Sequence, residues 1–221
     1  MAKVLIVAPP AVFAITCHEV AHGWIASRFG DQTARDRGRL TLNPIAHIDP
    51  VGTIVVPLML AFANAPIIGW AKPVPVDFRN LRSPKKDMGY VAAAGPVTNL
   101  LLAAICGILF HLLSLGLALG GGTILSFLSP LRLMLLVGVQ VNVMLAIFNL
   151  LPIPPMDGSK VAISVLPLRY ARVFARMERY GIFPLLLLLL IPETNRLIGR
   201  VIDPVAGVLI DLFLKGPAAI F

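Results

Sequence analysis

The chain has 221 residues, of which 57% are hydrophobic and only 14% are charged, and its mean hydropathy is +0.86. These values exclude a soluble globular domain and indicate a protein that crosses a membrane several times. The net charge of +8 lies in short basic segments between apolar stretches, where Lys and Arg determine orientation and contact lipid headgroups, so no nucleic-acid partner is predicted. Cys17 and Cys106 both fall inside apolar stretches and predict no disulfide framework.

Two apolar segments of different character occupy the first part of the chain. Residues 4 to about 29 predict a membrane helix that ends at the turn signal around Gly30. Residues 51–68 are apolar but are interrupted by two prolines and an asparagine, and a basic loop lies on each side of them. Because basic loops prefer the cytoplasmic side, a path that enters and leaves on one face keeps both loops inside, whereas a crossing would separate them. We therefore predict an external N-terminus and a re-entrant or surface-lying segment 51–68.

The remaining apolar stretches predict four further membrane helices. They cover residues 89–119, residues 131–151, the leucine-rich run around 185–190 and residues 195–214. The basic region 156–180 falls on the same face as the two earlier basic loops. The predicted fold class is an all-α polytopic membrane protein with about five transmembrane helices, the re-entrant or surface segment and a short β-like proline-rich loop.

The first predicted helix carries the HExxH pattern His18-Glu19-Val20-Ala21-His22. On a helix the two imidazoles project from one face a turn apart, at a spacing suited to one Zn²⁺, and Glu19 lies beside them where it can polarise a water molecule at the metal. The alternative interpretation is that these side chains make interhelical polar contacts. Ionisable groups inside an apolar span are costly and are usually functional, so the pattern favours a zinc site.

A third zinc ligand has to come from elsewhere, because a catalytic zinc takes three protein ligands and keeps one open position. The candidates are His47, Asp49, His111 and Asp157. His111 lies in the middle of an apolar span, and we interpret it as packed or facing headgroups. His47 and Asp49 lie in a proline-flanked loop and are typical of turn and capping positions. Asp157 fits either a ligand or a helix N-cap before Gly158, and the local residues leave both roles open.

Three motifs, taken in this order, resemble the site-2 protease family of intramembrane metalloproteases. They are HEVAH at 18–22, Gly95-Pro96-Val97-Thr98-Asn99 and NLLPIPPMDG from Asn149 to Gly158. The resemblance is closest to compact members without a PDZ or CBS domain. It implies one domain, in which residues 1–165 form the catalytic membrane core and residues 166–221 add C-terminal membrane helices.

The resemblance also implies an activity and a location. The expected activity is zinc-dependent hydrolysis of peptide bonds in or near the transmembrane segments of single-span membrane proteins, in regulated intramembrane proteolysis. The expected location is a prokaryotic inner membrane, with the catalytic site toward the cytoplasm. A catalytically silent scaffold or chaperone of the same fold is the alternative, and a transporter is disfavoured because no internal repeat is visible.

The family's site residues carry over onto positions of this chain that match its motifs. The aspartate of the family's (L/M)DG motif is the third zinc ligand, which corresponds to Asp157. Two neutral histidines, ionised Asp157, ionised Glu19 and Zn²⁺ sum to zero charge, which suits a buried site. The family's two asparagines correspond to Asn149 and Asn99, either of which could donate a hydrogen bond to the oxyanion or to the substrate backbone. Helix packing is the alternative role for both, and for Asn99 it is the favoured one.

The proline-rich stretch 69–76 is predicted to hold the substrate. A transmembrane helix must be extended before its peptide bond can be attacked, and its exposed backbone then needs a partner. Two prolines blunt one side of this stretch, while the N–H groups of Lys72, Val74 and Val76 point to the other side and can recruit a strand. The alternative is a rigid connector.

Overall fold

The computed structural model describes residues 2–62, 69–119, 128–181 and 191–215. Within these ranges every regular element is helical, as predicted, and no strand is formed. The α-helices are α1 Ala2–Arg28, α2 Thr33–Asp36, α3 Val56–Phe62, α4 Pro84–Leu119, α5 Ser129–Asn149, α6 Asp157–Val165, α7 Leu168–Glu178 and α8 Pro192–Lys215. Short 3₁₀ turns lie at Pro44–His47 and Phe78–Asn80, and a π turn lies at Pro50–Val55.

Three of the described helices are long and apolar enough to cross a membrane: Val4–Arg28, Pro84–Leu117 and Ser129–Asn149. The predicted count of five is not confirmed. The leucine run 185–190 lies outside the described residues, and α8 carries Arg200, Asp203 and Asp211 along its length. Charges at this density are costly in a span that faces lipid. The composition of α8 therefore differs from that of the three candidate membrane helices.

The segment predicted to be re-entrant is described only as far as Phe62. It consists of the π turn and α3, and residues 63–68 lie outside the described part of the chain. The Asp49 carboxylate caps the π turn by accepting hydrogen bonds from the N–H groups of Val51 (3.0 Å) and Gly52 (2.7 Å). This confirms the interpretation of Asp49 as a capping residue.

Helix α4 is the central element of the packing and contacts α1, α5, α6 and α8. One buried cluster joins α4, α5 and α8 through Ala103, Val139, Val143, Ile202 and Ala206. Small and β-branched residues allow the helix backbones to approach closely. The same approach brings the middle of α4 against the second half of α1, where the HExxH motif lies.

A buried carboxylate ties the end of α1 to the loop that precedes α4. Asp31 is fully buried and accepts hydrogen bonds from the N–H (3.1 Å) and hydroxyl (2.5 Å) of Thr33, the N–H of Asp77 (2.8 Å) and the side-chain amide of Asn80 (3.0 Å). Burial raises the pKa of Asp31, but these hydrogen bonds lower it by more, so its pKa lies below the ordinary value. The loop is thereby held beside α1.

Candidate metal centre

The HExxH motif and Asp157 meet in space although 139 residues separate His18 from Asp157. The Nε2 atoms of His18 and His22 are 3.0 Å apart. Oδ2 of Asp157, the first residue of α6, lies 3.1 Å from His18 Nε2 and 3.2 Å from His22 Nε2. Among the described residues this is the cluster of His, Cys, Asp or Glu side chains that could hold a metal ion.

The hydrogen bonds of the two imidazoles show which ring nitrogen of each carries the hydrogen. The Nδ1–H of His22 donates to the carbonyl of Val91 (2.7 Å), and the Nδ1–H of His18 donates to Oδ1 of Asn99 (2.5 Å). Each Nε2 therefore carries a lone pair, and it faces the Asp157 carboxylate, which also only accepts. With neutral imidazoles, the three converging acceptors suit a metal cation between them.

Zinc fits this donor set. Two ligand atoms bound to Zn²⁺ at 2.0–2.1 Å with tetrahedral angles are about 3.3 Å apart, and the three atoms here are separated by 3.0, 3.1 and 3.2 Å. The three side chains offer two neutral nitrogens and one anionic oxygen.

The structure separates the two roles that the local sequence left open for Asp157. Met156, not Asp157, occupies the N-cap position of α6, and Asp157 is the first helical residue. Its carboxylate turns toward the histidines of α1 instead of the amides of α6. Gly158 permits this arrangement, because a Cβ at that position would overlap the carbonyl groups of Leu150 and Leu151 at the end of α5.

Three residues on one face of α4, spaced four apart, contact the two histidines: Val91, Gly95 and Asn99. Val91 accepts from His22 and Asn99 accepts from His18, while Gly95 lies between them. A Cβ on Gly95 would be 2.5 Å from both His18 Cε1 and His22 Nε2. The sequence patterns did not single out Val91 or assign a role to Gly95, although Gly95 and Asn99 stand four apart in one motif and share a helix face.

A cavity of about 300 Å³ opens beside the cluster. Its walls include Glu19, Asn149 and Lys160, together with Pro73, Val74 and Val76 from the proline-rich loop. The Glu19 carboxylate accepts a hydrogen bond of 2.8 Å from the N–H of Val74. Lys160, which the sequence patterns did not single out, donates to the carbonyl of Pro155 at 3.4 Å.

The loop predicted to hold the substrate borders this cavity but forms no strand within the described ranges. Two of its three predicted donor amides already have partners in the chain. The N–H of Lys72 donates to the carbonyl of His47 (2.9 Å), and that of Val74 donates to Glu19. Pairing between this loop and a substrate strand stays a prediction, and it requires these two amides to exchange partners.

The two predicted asparagines have different environments. Asn149 borders the cavity and donates one amide hydrogen to the carbonyl of Leu145 (2.9 Å). Asn99 is completely buried, and its side chain bonds to His18, Ala14 and Asn142. Asn99 faces His18, one of the predicted zinc ligands, and α1 and α5 cover it from both sides. Its predicted contact with substrate stays a prediction.

The other candidate ligands lie apart from the cluster. His47 is buried, and its Nε2–H donates to the carbonyl of Thr41 (2.9 Å). His111 packs against α8, where its Nε2–H donates to the carbonyl of Phe213 (3.2 Å). His111 is exposed, and its role as a packed or headgroup-facing histidine stays a prediction.

Comparison with known proteins gives the family. Over 210 residues the chain is 39% identical to a Bacillus subtilis protein named "Putative zinc metalloprotease YwhC", and the match covers 95% of this chain and 90% of that protein. Residues 123–192 match the family model described as Peptidase family M50. The chain belongs to peptidase family M50. This membership confirms the predicted site-2 protease resemblance and Zn²⁺ as the cofactor.

More distant M50 relatives match with the same kind of name. The protein named "Putative zinc metalloprotease Rip2" from Mycolicibacterium smegmatis is 28% identical over 190 residues, which are 84% of this chain and 66% of that protein. The Methanocaldococcus jannaschii protein named "Putative zinc metalloprotease MJ0611" is 36% identical over 84 residues, which are 38% of this chain and 37% of that protein. No solved structure matches the chain at a comparable level.

Proposed function

We propose that this M50 protein is an intramembrane zinc endopeptidase that cleaves peptide bonds in or near the transmembrane segments of single-span membrane proteins. The observation that carries the proposal is that His18 and His22, on a helix long and apolar enough to cross a membrane, converge with the Asp157 carboxylate of α6 beside a cavity that Glu19 also lines. A soluble protease would not need its metal ligands within such a helix.

His18, His22 and Asp157 would hold the metal. When bound there, Zn²⁺ supplies Lewis-acid chemistry that lowers the pKa of water and polarises a peptide carbonyl. Glu19 acts as the proton shuttle: its carboxylate takes the proton of the attacking water and passes it to the leaving amine. The hydrogen bond from the Val74 N–H holds this carboxylate at the cavity wall.

Asn149 is the group on the cavity wall that we assign to the developing oxyanion. Its amide uses one hydrogen for the carbonyl of Leu145, one turn back in α5, and this bond orients the side chain. An amide N–H held in advance at this position stabilises negative charge as it forms, at no cost of reorganisation. Packing alone would not require this side chain to border the cavity.

The charge distribution supports a site that opens toward the cytoplasm of a prokaryotic inner membrane. His18 lies about 15 Å along α1 from Arg28, by the helical rise of 1.5 Å per residue, and Arg28 begins the first basic loop. Basic loops prefer the cytoplasmic side. A substrate helix would enter from the bilayer, unwind beside the proline-rich loop and leave its product on the cytoplasmic face.

Metal content and cleavage, measured together on the full chain in detergent, test the proposal. We expect about one zinc per chain and chelator-sensitive cleavage of a model transmembrane substrate. Glu19→Gln should keep the zinc but slow cleavage by about 10³-fold, as loss of a general base does. His18→Ala should lose both, while Glu193→Gln, an exposed glutamate on α8 paired with Arg196, should lose neither.

Two results would contradict the proposal. Full activity in Glu19→Gln would remove Glu19 from the chemistry. A parent protein that binds zinc but cleaves no transmembrane substrate would favour the silent scaffold.

A further inference from the structure

A chain of buried hydrogen bonds connects His18 to two asparagines on neighbouring helices. The Nδ1–H of His18 donates to Oδ1 of Asn99 (2.5 Å), the amide of Asn99 donates to Oδ1 of Asn142 (2.8 Å), and the amide of Asn142 donates to the carbonyl of Gly138 (2.8 Å). The exposed fractions of His18, Asn99 and Asn142 are 6%, 0% and 2%. Helices α1, α4 and α5 thus each bury one polar side chain at a single contact.

The direction of every bond in this chain follows from backbone carbonyls, which can only accept. The carbonyl of Gly138 requires the NH₂ end of Asn142, so Oδ1 of Asn142 faces Asn99. The NH₂ end of Asn99 then points toward Asn142 and toward the carbonyl of Ala14 (3.3 Å). Oδ1 of Asn99 is left facing His18, whose Nδ1 must carry the hydrogen.

The two histidines differ in how this orientation is secured. His22 donates to the backbone carbonyl of Val91. A carbonyl oxygen can only accept, so this bond always places the hydrogen on Nδ1 of His22. His18 donates to a side-chain amide, whose oxygen and nitrogen ends can exchange by a half-turn. A flipped Asn99 would present NH₂ to Nδ1 and move the imidazole hydrogen to Nε2, which faces the metal cluster.

We infer that Asn142 is a positioning residue: through Asn99 it holds His18 in the Nδ1–H tautomer and so keeps Nε2 free to bind Zn²⁺. The partner of the second nitrogen of a ligating histidine fixes its tautomer and orientation, and loss of that partner typically weakens metal binding 10- to 100-fold. The inference rests on the metal site of the proposed function, but it does not depend on proteolysis.

Two substitutions of Asn142 separate positioning from packing. Asn142→Asp, protonated in this apolar environment, keeps one acceptor for Asn99 and one O–H donor for the Gly138 carbonyl. Asn142→Leu has a similar size and removes both groups. We expect the leucine variant to bind zinc about 10-fold more weakly and the aspartate variant to stay within about 3-fold of the parent. If Asn142 served only to pack, the aspartate variant would bind zinc more weakly than the leucine variant, because leucine suits an apolar core better than a carboxyl group.

The measurements are zinc affinity, by competition with a chelator in detergent, and the histidine tautomers of the metal-free protein, by nitrogen NMR after ¹⁵N-histidine labelling. The chain has four histidines, so the spectrum is simple. In the leucine variant we expect the His18 signals to shift toward a mixture of tautomers, while those of His22, held by Val91, do not change. Asn142→Ala replaces the leucine variant if that protein does not fold.

The outcomes distinguish the inference from the proposed function. Unchanged His18 tautomer and zinc affinity in the leucine or alanine variant overturn the positioning role. A parent protein that binds no zinc contradicts the proposed function, and the tautomer measurement on the metal-free chain still tests Asn142 by itself.

Discussion

Gly95→Ala tests the geometry of the metal centre because helix propensity and tertiary structure predict opposite effects. Gly95 lies inside α4, where alanine is favoured over glycine by about 1 kcal/mol. In the folded protein, however, the added Cβ would lie 2.5 Å from His18 Cε1 and His22 Nε2 and 2.6 Å from His18 Nε2. Propensity alone predicts a more stable protein with an unchanged site, whereas the structure predicts a damaged site.

The size of the effect follows from these distances. Both imidazoles would have to retreat by about 0.9 Å to reach the 3.4 Å at which ordinary contact begins. Their Nδ1 hydrogens are held by Asn99 and by Val91, so retreat breaks these bonds. Zinc–ligand distances tolerate about ±0.2 Å. We therefore expect zinc affinity to fall by at least about 100-fold, more than the loss of a single outer partner causes.

The assay is zinc affinity by chelator competition, with the melting temperature measured on the same samples. Gly116→Ala is the matched control, because Gly116 lies in the same helix and a Cβ there meets nothing within 4 Å. The control should keep the parent's zinc affinity and gain up to about 1 kcal/mol of stability. If Gly95→Ala binds zinc as tightly as the parent, the placement of α4 against the histidines is wrong.

Three further predictions concern the third ligand, a buried carboxylate and the topology. Asp157→Asn and Asp157→Ser should stay folded but lose zinc and cleavage, because neither side chain supplies an anionic oxygen. Asp157→His should regain some metal. Zinc retained in the Asn and Ser variants would contradict the ligand role. The pKa of Asp31 is lowered in the folded state, so the stability it contributes is complete above its unfolded pKa and is lost as the pH falls through the folded value. Asp31→Asn should therefore lower the free energy of unfolding at pH 7 by about 2–3 kcal/mol. It should also flatten the plot of melting temperature against pH below the unfolded pKa of an aspartate, about 3.9. An unchanged pH profile would show that the carboxylate is not needed. The topology can be tested in a chain without its two native cysteines. An impermeant reagent on the cytoplasmic side should label single cysteines introduced in residues 30–48, 72–88 and 168–180. Labelling of 72–88 from the opposite side would show that the preceding segment crosses the membrane.

The amino-acid sequence by itself determined the features that depend on composition and local spacing. High hydropathy identified a membrane protein, and apolar runs located α1, α4 and α5 to within five residues of their observed starts. The HExxH spacing placed His18 and His22 on one face of α1, because residues four apart on a helix are neighbours whatever surrounds them. Asp49 was read as a cap for the same reason, since its partners lie two and three residues away.

Only the tertiary structure decided what lies opposite these faces. Asp157 fitted a cap as well as a ligand until α6 turned its carboxylate toward α1. His22 and Val91 are 69 residues apart, and His18 and Asn99 are 81 apart. Sequence periodicity reports which face of a helix is buried, but not which face of another helix covers it. A buried asparagine therefore has the same local pattern whether it packs, contacts substrate or holds a metal ligand. The crossing of α1, α4 and α5 decided that Asn99 faces His18.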